Sequence, residues 1–432
     1  MRQVAIGLVG WGTVGGGVVE ILTRDAALLR ERCGIDLRLK AVVTRTPARA
    51  RTTPLPAGCS LGTDLSVITG DPEIAVVCHL VGGTDDARLA MEACLRAGKP
   101  VVTANKALLA EHGDALFALA ARYGSAIAFE AAVAGGIPVI AALRDGLVAN
   151  HITAIDAILN GTCNYILTRM EQDAAGYAEA LAEAQRLGYA EADPTLDVDG
   201  TDTAHKLAIL TRIATHRRVP LSAVRVQGIQ QVTAQDIASA RTMSCRIKLI
   251  ASAIQHQGAV ALRVAPTLVP LAHPLASVMQ NANGIAFSTS AAGPTLLVGR
   301  GAGALPTASA VLADVVDVVT GRYRMTTDNF SFMTAQSSID VLPDSEERSA
   351  FYARFSVEDK PGVLARIASA LSQNSVSIKS LHQAESSAGQ TAGIAVVTHP
   401  ARRGDLISAV AMIDRSDVVK QPTVVYRAMS GV

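Results

Sequence analysis

Val4-Ala-Ile-Gly-Leu-Val-Gly10-Trp-Gly12-Thr-Val-Gly15 decides the fold of this chain. The apolar run Val4–Val9 predicts a strand, the three glycines a tight loop, and the pattern through Ile21 and Leu22 a helix. Strand, glycine loop and helix in that order form a dinucleotide-binding βα unit. Gly10 permits the turn, Gly12 lets a pyrophosphate reach the backbone, and Gly15 allows close helix–strand packing. The free N–H groups at the helix start then face the phosphates.

Working outward, the second strand is expected over Leu37–Thr44, where NAD-specific folds place an acid against the adenosine ribose. Here the chain offers Thr44-Arg45, then Arg49 and Arg51, and no acid. Arg45 suits a 2′-phosphate, which favours NADP over NAD; an exposed loop arginine is the alternative. Further strands are expected at 76–81, 101–103 and 126–129. Lys106 follows the third of these four strands, where open α/β sheets present ligand-binding groups.

From Pro138 the pattern changes. A helix is expected over 138–147, then a strand over 152–158, then Asn160-Gly-Thr-Cys163-Asn164. Segments at 260–266, 285–290 and 295–298 predict an open mixed sheet. A second glycine-rich loop, Gly299–Thr307, leads into a helix that returns to the cofactor domain; an ordinary turn is the alternative. After the polar linker near Pro343, strands and helices alternate as βαββαβ, a ferredoxin-like module.

The densest chemistry lies in Glu191-Ala-Asp-Pro-Thr-Leu-Asp-Val-Asp-Gly-Thr-Asp202-Thr-Ala-His-Lys206, with five carboxylates and one lysine. Asp202 and Lys206, four apart, share one helix face. A solvated ion pair is one reading. The apolar continuation Leu207-Ala-Ile-Leu210 favours a buried helix that carries its lysine into a cleft.

Composition narrows the function classes. A net charge of +1 gives no basic footprint for nucleic acid or an anionic membrane. The apolar run 126–143 is broken by Glu130, Gly135-Gly136 and Pro138, so no membrane span is expected. Six cysteines without paired spacing are expected as reduced thiols of a cytoplasmic protein.

Taken together, the chain resembles the homoserine dehydrogenases of the longer bacterial type, end to end. The resemblance is carried by the first glycine loop, Thr103-Ala-Asn-Lys106, Ala134-Gly135-Gly-Ile137-Pro138, Leu159-Asn-Gly-Thr-Cys-Asn-Tyr165 and the Glu191–Lys206 block. Asp359-Lys-Pro-Gly-Val-Leu364 resembles an ACT domain. The resemblance implies an α/β fold in three parts. These are a Rossmann-type NAD(P)-binding domain over 1–137 completed by 304–342, an α+β catalytic and dimerisation domain with an open mixed sheet over 138–303, and a ferredoxin-like ACT domain over 349–432.

It also implies the interconversion of L-homoserine and L-aspartate 4-semialdehyde, on the route to threonine, methionine and isoleucine. Lys206 matches the family's proton-donating lysine, Asp202 its substrate-positioning acid, and Glu191 a ligand for the amino acid's polar groups. Thr13, Val14, Lys106, Gly188 and Gly303 match cofactor contacts. Backbone oxygens of Glu130, Val133, Gly135 and Ile137 match a site for a monovalent cation such as Na+; a plain strand-to-helix turn is the alternative. L-Threonine is the expected effector at the ACT domain, near Asp359–Gly362, with a dimerisation module that binds no ligand as the alternative, and a homo-oligomer (dimer or tetramer) is expected.

Two other classes compete. A nucleotide-binding amino acid sensor would have no need of a proton-donating lysine. Aspartate-semialdehyde dehydrogenase would require a nucleophilic cysteine, for which Cys163 is the candidate, and a matching histidine. With no kinase domain before the first strand, a monofunctional enzyme is expected.

Overall fold

A computed structural model of the chain describes residues 2–327, 337–384 and 391–431. Residues 328–336, within the stretch expected to complete the nucleotide-binding domain, lie outside the described residues. The chain forms two compact units. One comprises Met1–Ile152, His205–Leu221 and Ser288–Ile339, and the other Thr153–Ala204, Ser222–Phe287 and Asp340–Val432.

The first unit holds a six-stranded sheet of β1 (Arg2–Val9), β2 (Ile35–Val43), β3 (Ser60–Gly62), β4 (Ile74–His79), β5 (Val101–Thr103) and β6 (Ile127–Ala128). Every pairing is parallel, and the strand order is β3-β2-β1-β4-β5-β6. This order reverses direction between β1 and β4, which opens a crevice at the carboxyl ends of those strands. The central strands are apolar on both faces because helices cover both. Ile6, Leu8 and Val76 pack with Val18, Val19 and Leu22 of the helix Thr13–Arg24, and with Val311 and Val315 of the helix Ala304–Thr320. Those two helices approach closely at Gly17, where a Cβ would sit 2.4 Å from the Ala304 carbonyl oxygen. The expected helix over 138–147 is one short α segment, Val139–Ala141, that widens into a π turn over Ala142–Gly146.

The second unit is built on β7 (Ile152–Ile158), β8 (Arg225–Val226), β9 (Cys245–His256), β10 (Ala259–Pro270) and β11 (Ala282–Thr289). In the chain, β12 (Thr295–Arg300) follows, and then the carboxy-terminal strands β13 (Arg348–Glu358), β14 (Ile378–Ala384), β15 (Thr391–Thr398), β16 (Ala401–Arg402) and β17 (Val419–Ala428). The path β17-β13-β15-β14, with the helices Val363–Gln373 and Arg403–Asp414, is the expected ferredoxin-like module. Val363, Ile367, Ala370 and Leu371 turn one helix face onto Phe351, Phe355, Ile394 and Val396.

This module is sheet-continuous with the other strands of the second unit. β17 pairs parallel to β10 through Thr267↔Arg427 and Leu268↔Ala428. Its side chains reinforce the join. Arg427 donates to Asp156 Oδ1 on β7 at 3.2 Å and to Ser252 Oγ on β9 at 2.6 Å. Asp236, fully buried at the start of the helix Ala234–Thr242, accepts from Arg354 Nε at 2.7 Å and Tyr352 Oη at 2.8 Å. Gly393 lies beneath the Gln235 side chain, with no room for a Cβ.

Strand β9 of the second unit also buries a cation. Lys248 is 1% exposed and donates to Asn164 Oδ1 at 2.9 Å and to the Val278 carbonyl at 2.8 Å. Burial lowers its pKa from 10.5 to about 8. Between pH 8 and 10.5 the unfolded chain therefore holds a proton that the folded chain does not, and stability rises with pH across that window. Denaturant midpoints measured from pH 7.5 to 10.5 are expected to climb for the wild-type chain, and to climb less for Lys248→Met. Parallel curves for the two proteins would contradict this.

Candidate active site

The residues expected to meet the cofactor lie at the carboxyl ends of β1, β4 and β5. Gly10 has φ +96°, and a Cβ there would meet the Leu80 carbonyl oxygen at 2.6 Å. At Gly15 a Cβ would sit 2.4 Å from the Gly10 carbonyl oxygen, so the helix can start this close to the loop only with glycine. Gly12 is open, with nothing within 4 Å of a Cβ. It precedes Thr13 and Val14 in the first helical turn, whose N–H groups lack intrahelical partners. This is a cradle that fits a pyrophosphate.

The flanking groups are placed as follows. Arg45 follows β2 with its side chain 84% exposed, and Asp86 Oδ2 is 3.9 Å away. Arg51 covers the Trp11 ring, its guanidinium carbon 4.7 Å from the centroid. Lys106 opens the helix Lys106–Arg122 directly after β5. That turn is held by Asn105, which sequence reasoning passed over. Its Oδ1 caps the Leu108 N–H at 3.0 Å, and its Nδ2 donates to the carbonyls of Val81 at 2.9 Å and Gly83 at 2.7 Å. Gly303, with φ +123°, starts the helix Ala304–Thr320.

Between these elements runs the irregular segment Glu130–Ile137. Ala134 and Gly135 have φ +56° and +52°, and a Cβ on Gly135 would press to 2.5 Å from the Gly301 carbonyl oxygen. The second glycine-rich loop therefore packs on this turn. The carbonyls of Val133 and Gly135 accept no hydrogen bond among the described residues, whereas those of Glu130 and Ile137 close turns to Val133 N and Val139 N. Two open carbonyls beside two half-used ones fit a hard monovalent cation. The Glu130 carboxyl itself is committed elsewhere: it accepts from Ile140 N and Ala141 N at 2.8 Å each. Burial raises its pKa to about 7, against the lowering effect of those two bonds.

The candidate substrate residues run from the second unit into the helix Thr201–Thr215, whose Lys206 is counted with the first unit. β7 ends at Ile158, and Asn160 caps the helix Gly161–Gln172 by accepting from Cys163 N at 2.8 Å. Its Nδ2 donates to Asp197 Oδ1 at 2.7 Å and to Asp202 Oδ2 at 3.0 Å, so two carboxylates converge on one amide. Cys163 Sγ donates to the Asp197 carbonyl at 3.1 Å, and Thr162 Oγ1 to the Tyr189 carbonyl at 2.7 Å. The sharp turn at Gly200 (φ +92°) leaves no space for a side chain against Val226 and Val264. It leads into the helix Thr201–Thr215, on which Asp202 and Lys206 are both buried, one turn apart.

Glu191 is exposed, and its carboxylate makes no hydrogen bond or ion pair among the described residues; Gln185 Nε2 donates to its carbonyl at 3.1 Å. Gly188, with φ +74°, follows the helix Tyr177–Arg186. Sequence reasoning singled out Asp202 but not Asp197 or Asn160. Asn160 carried a signal, since an asparagine between a strand and a helix is a helix cap. All six cysteines are free.

Known proteins place this arrangement. Residues 10–130 match the family model "Homoserine dehydrogenase, NAD binding domain", 138–316 match "Homoserine dehydrogenase", and 351–411 match "ACT domain". The chain is 39% identical to the homoserine dehydrogenase of Neisseria gonorrhoeae over 434 residues, covering 100% of this chain and 99% of that one. The chain belongs to the homoserine dehydrogenase family. It is an NAD(P)-dependent oxidoreductase acting on a CH–OH group, with a nicotinamide cofactor and an ACT domain. The homoserine dehydrogenase of Pseudomonas aeruginosa is 40% identical, with 99% of both chains covered. The crystal structure of a homoserine dehydrogenase from Thiobacillus denitrificans superposes with a TM-score of 0.92 at 39% identity, covering 99% of each chain. The homoserine dehydrogenase of Staphylococcus aureus superposes at 0.76 and 32% identity, with all of both chains covered. Among the described residues no helix is long and apolar enough to cross a membrane.

Proposed function

We propose that the chain reversibly reduces L-aspartate 4-semialdehyde to L-homoserine, with Lys206 as the proton donor. The observation that carries this reading is the buried helix Thr201–Thr215. It bears Lys206 one turn from Asp202, and Asp202 is held beside Asp197 by Asn160. A bound nicotinamide supplies the hydride. The ammonium of Lys206 gives its proton to the aldehyde oxygen and stabilises the negative charge that builds there. Asp202 and Glu191 hold the amino acid end of the substrate, and Asp197 adds a second buried-side carboxylate to the same task.

The finer assignments follow from the same residues. Gly10, Gly12, Thr13, Val14 and Gly15 cradle the pyrophosphate; Lys106, Gly188 and Gly303 complete the cofactor contacts. Arg45 pairs with a 2′-phosphate, so NADP is the preferred coenzyme. The backbone oxygens of Glu130, Val133, Gly135 and Ile137 hold Na+. The three domains divide at 1–137 with 304–342, 138–303 and 349–432. The enzyme works as a cytoplasmic homo-oligomer in threonine, methionine and isoleucine biosynthesis.

Absorbance at 340 nm with homoserine and each coenzyme in turn tests the reaction and its coenzyme together. The expected result is faster reduction of NADP, and an Arg45→Glu variant whose NADP preference falls by about tenfold or more, since a charge-assisted bond to phosphate is lost. Equal preference in both proteins would remove Arg45 from the coenzyme site. No homoserine-dependent signal with either coenzyme would remove the reaction.

L-Threonine is the proposed effector, bound where Gly362 (φ +89°) opens backbone N–H groups at the start of the helix Val363–Gln373. Titrating threonine into the intact enzyme is expected to inhibit it, and Gly362→Val is expected to blunt the response with basal turnover kept. Equal threonine sensitivity in the two would contradict the site.

A further inference from the structure

We infer that Asp314 is the positioning residue that fixes the cation-binding turn Glu130–Ile137, an inference that rests on the cation site proposed above. Asp314 lies on the helix Ala304–Thr320 and is buried, and its Oδ2 accepts from the Glu130 N–H at 2.7 Å. Glu130 opens the 3₁₀ turn Glu130–Ala132, so that N–H has no partner within the turn itself. A carboxylate 184 residues away in sequence supplies the cap. The turn needs holding from outside: Ala134 and Gly135 both sit at positive φ, and the segment joins no strand whose ladder would set the spacing of its carbonyls. At its far end the Gly136 N–H donates to the Arg300 carbonyl at 3.1 Å, and a Cβ on Gly136 would press to 3.0 Å from the Pro306 side chain.

Residue 130 is pinned twice. Its main chain is tied to the helix Ala304–Thr320, and its side chain accepts from the N–H groups of Ile140 and Ala141 beyond the turn. A cation held by main-chain oxygens responds to their placement at the level of about 0.5 Å. The Glu130 oxygen moves with residue 130, and Val133 is tied to that oxygen through its own N–H. Other groups do not account for the aspartate. Arg144, a buried cation of this region, pairs with Asp145 at 2.8 Å and Asp317 at 3.5 Å. Asp314 Oδ1 accepts no hydrogen bond among the described residues. Val311 and Val315 of the same helix face the apolar core, where a buried acid costs stability unless a bond requires it. The bond to Glu130 N is that requirement.

The experiment reads cation binding without activity. Unfolding temperatures of the full-length chain are measured across NaCl concentration, with choline chloride keeping the ionic strength constant. Asp314→Ala and Asp314→Leu both remove the acceptor, and either suffices if the other does not fold. Asp314→Asn keeps an accepting oxygen, and Lys248→Met, in the other unit, controls for general destabilisation. In the wild type, Na+ is expected to raise the unfolding temperature along a saturating curve. D314A and D314L are expected to need about tenfold more Na+ for half of that rise, since one well-placed hydrogen bond is lost. D314N is expected to stay within about threefold of the wild type, and Lys248→Met to keep the wild-type midpoint, whatever their absolute unfolding temperatures. An unmoved Na+ midpoint in D314A or D314L overturns the inference. So does a D314N midpoint shifted as far as theirs, which would give the role to charge instead of the bond, and so does an equal shift in Lys248→Met. A wild-type chain that Na+ and choline stabilise alike removes the cation site itself and the inference with it, and is read before any variant.

Discussion

Lys206→Ala is expected to lower turnover by about two to four orders of magnitude, the range that general acid catalysis supplies. The cofactor KM should stay within about twofold, because the proposed pyrophosphate cradle at Gly10, Gly12 and Gly15 is on another segment. The direction of reaction separates a proton donor from a mere charge. With Lys206 as the proposed proton donor, aldehyde reduction would use the protonated amine and homoserine oxidation the neutral one, so oxidation by the wild-type enzyme should gain with rising pH and reduction should not. In Lys206→Ala that contrast disappears. Steady-state rates in both directions from pH 6 to 10 check this, and a variant with wild-type turnover would remove the assignment.

The second large effect concerns the join between the helix Ala234–Thr242 and the ACT domain. Asp236 is fully buried with Arg354 Nε at 2.7 Å and Tyr352 Oη at 2.8 Å, and it also closes a capping box with Thr233. Burial and this neighbouring carboxylate hold the Tyr352 phenol above its usual range. Asp236→Ala leaves a buried guanidinium without its counter-ion and removes the half of the capping box that accepts from Thr233 N, while the Thr233 cap itself stays. The expected cost is about 3–5 kcal/mol, or a fall in unfolding temperature on the order of 10 °C. Pairing it with Arg354→Met removes the stranded charge and should recover a good part of the loss. Calorimetry on the single and double variants checks both statements. A double variant less stable than the sum of the two single losses would contradict the pairing.

What the sequence discloses here depends on how local its cause is. The first glycine loop is legible because each glycine answers a steric demand within a few residues, as Gly15 does against the Gly10 carbonyl. The ACT module is legible because Val363, Ile367 and Leu371 repeat at helical spacing on a short amphipathic helix. By contrast β9 passes unannounced: Lys248 sits buried in its first third, and neither an alternating nor a helical period marks it. The union of β17 with β10 joins Leu268 to Ala428, a pairing that no window of sequence contains. The candidate substrate residues divide in the same way. Asp202 and Lys206 lie one turn apart and invite attention, whereas Asp197 gains meaning only through Asn160, 37 residues earlier.

Proton donation by Lys206 requires its ammonium to point at the reacting oxygen when substrate is present. A crystal structure of the enzyme with L-homoserine and the oxidised coenzyme measures it directly. The predicted result is Lys206 Nζ within hydrogen-bond reach, about 3 Å, of the substrate hydroxyl, with Asp202 on the same amino acid. A hydroxyl bound by some other group, with Lys206 turned away and no water between them, would contradict it.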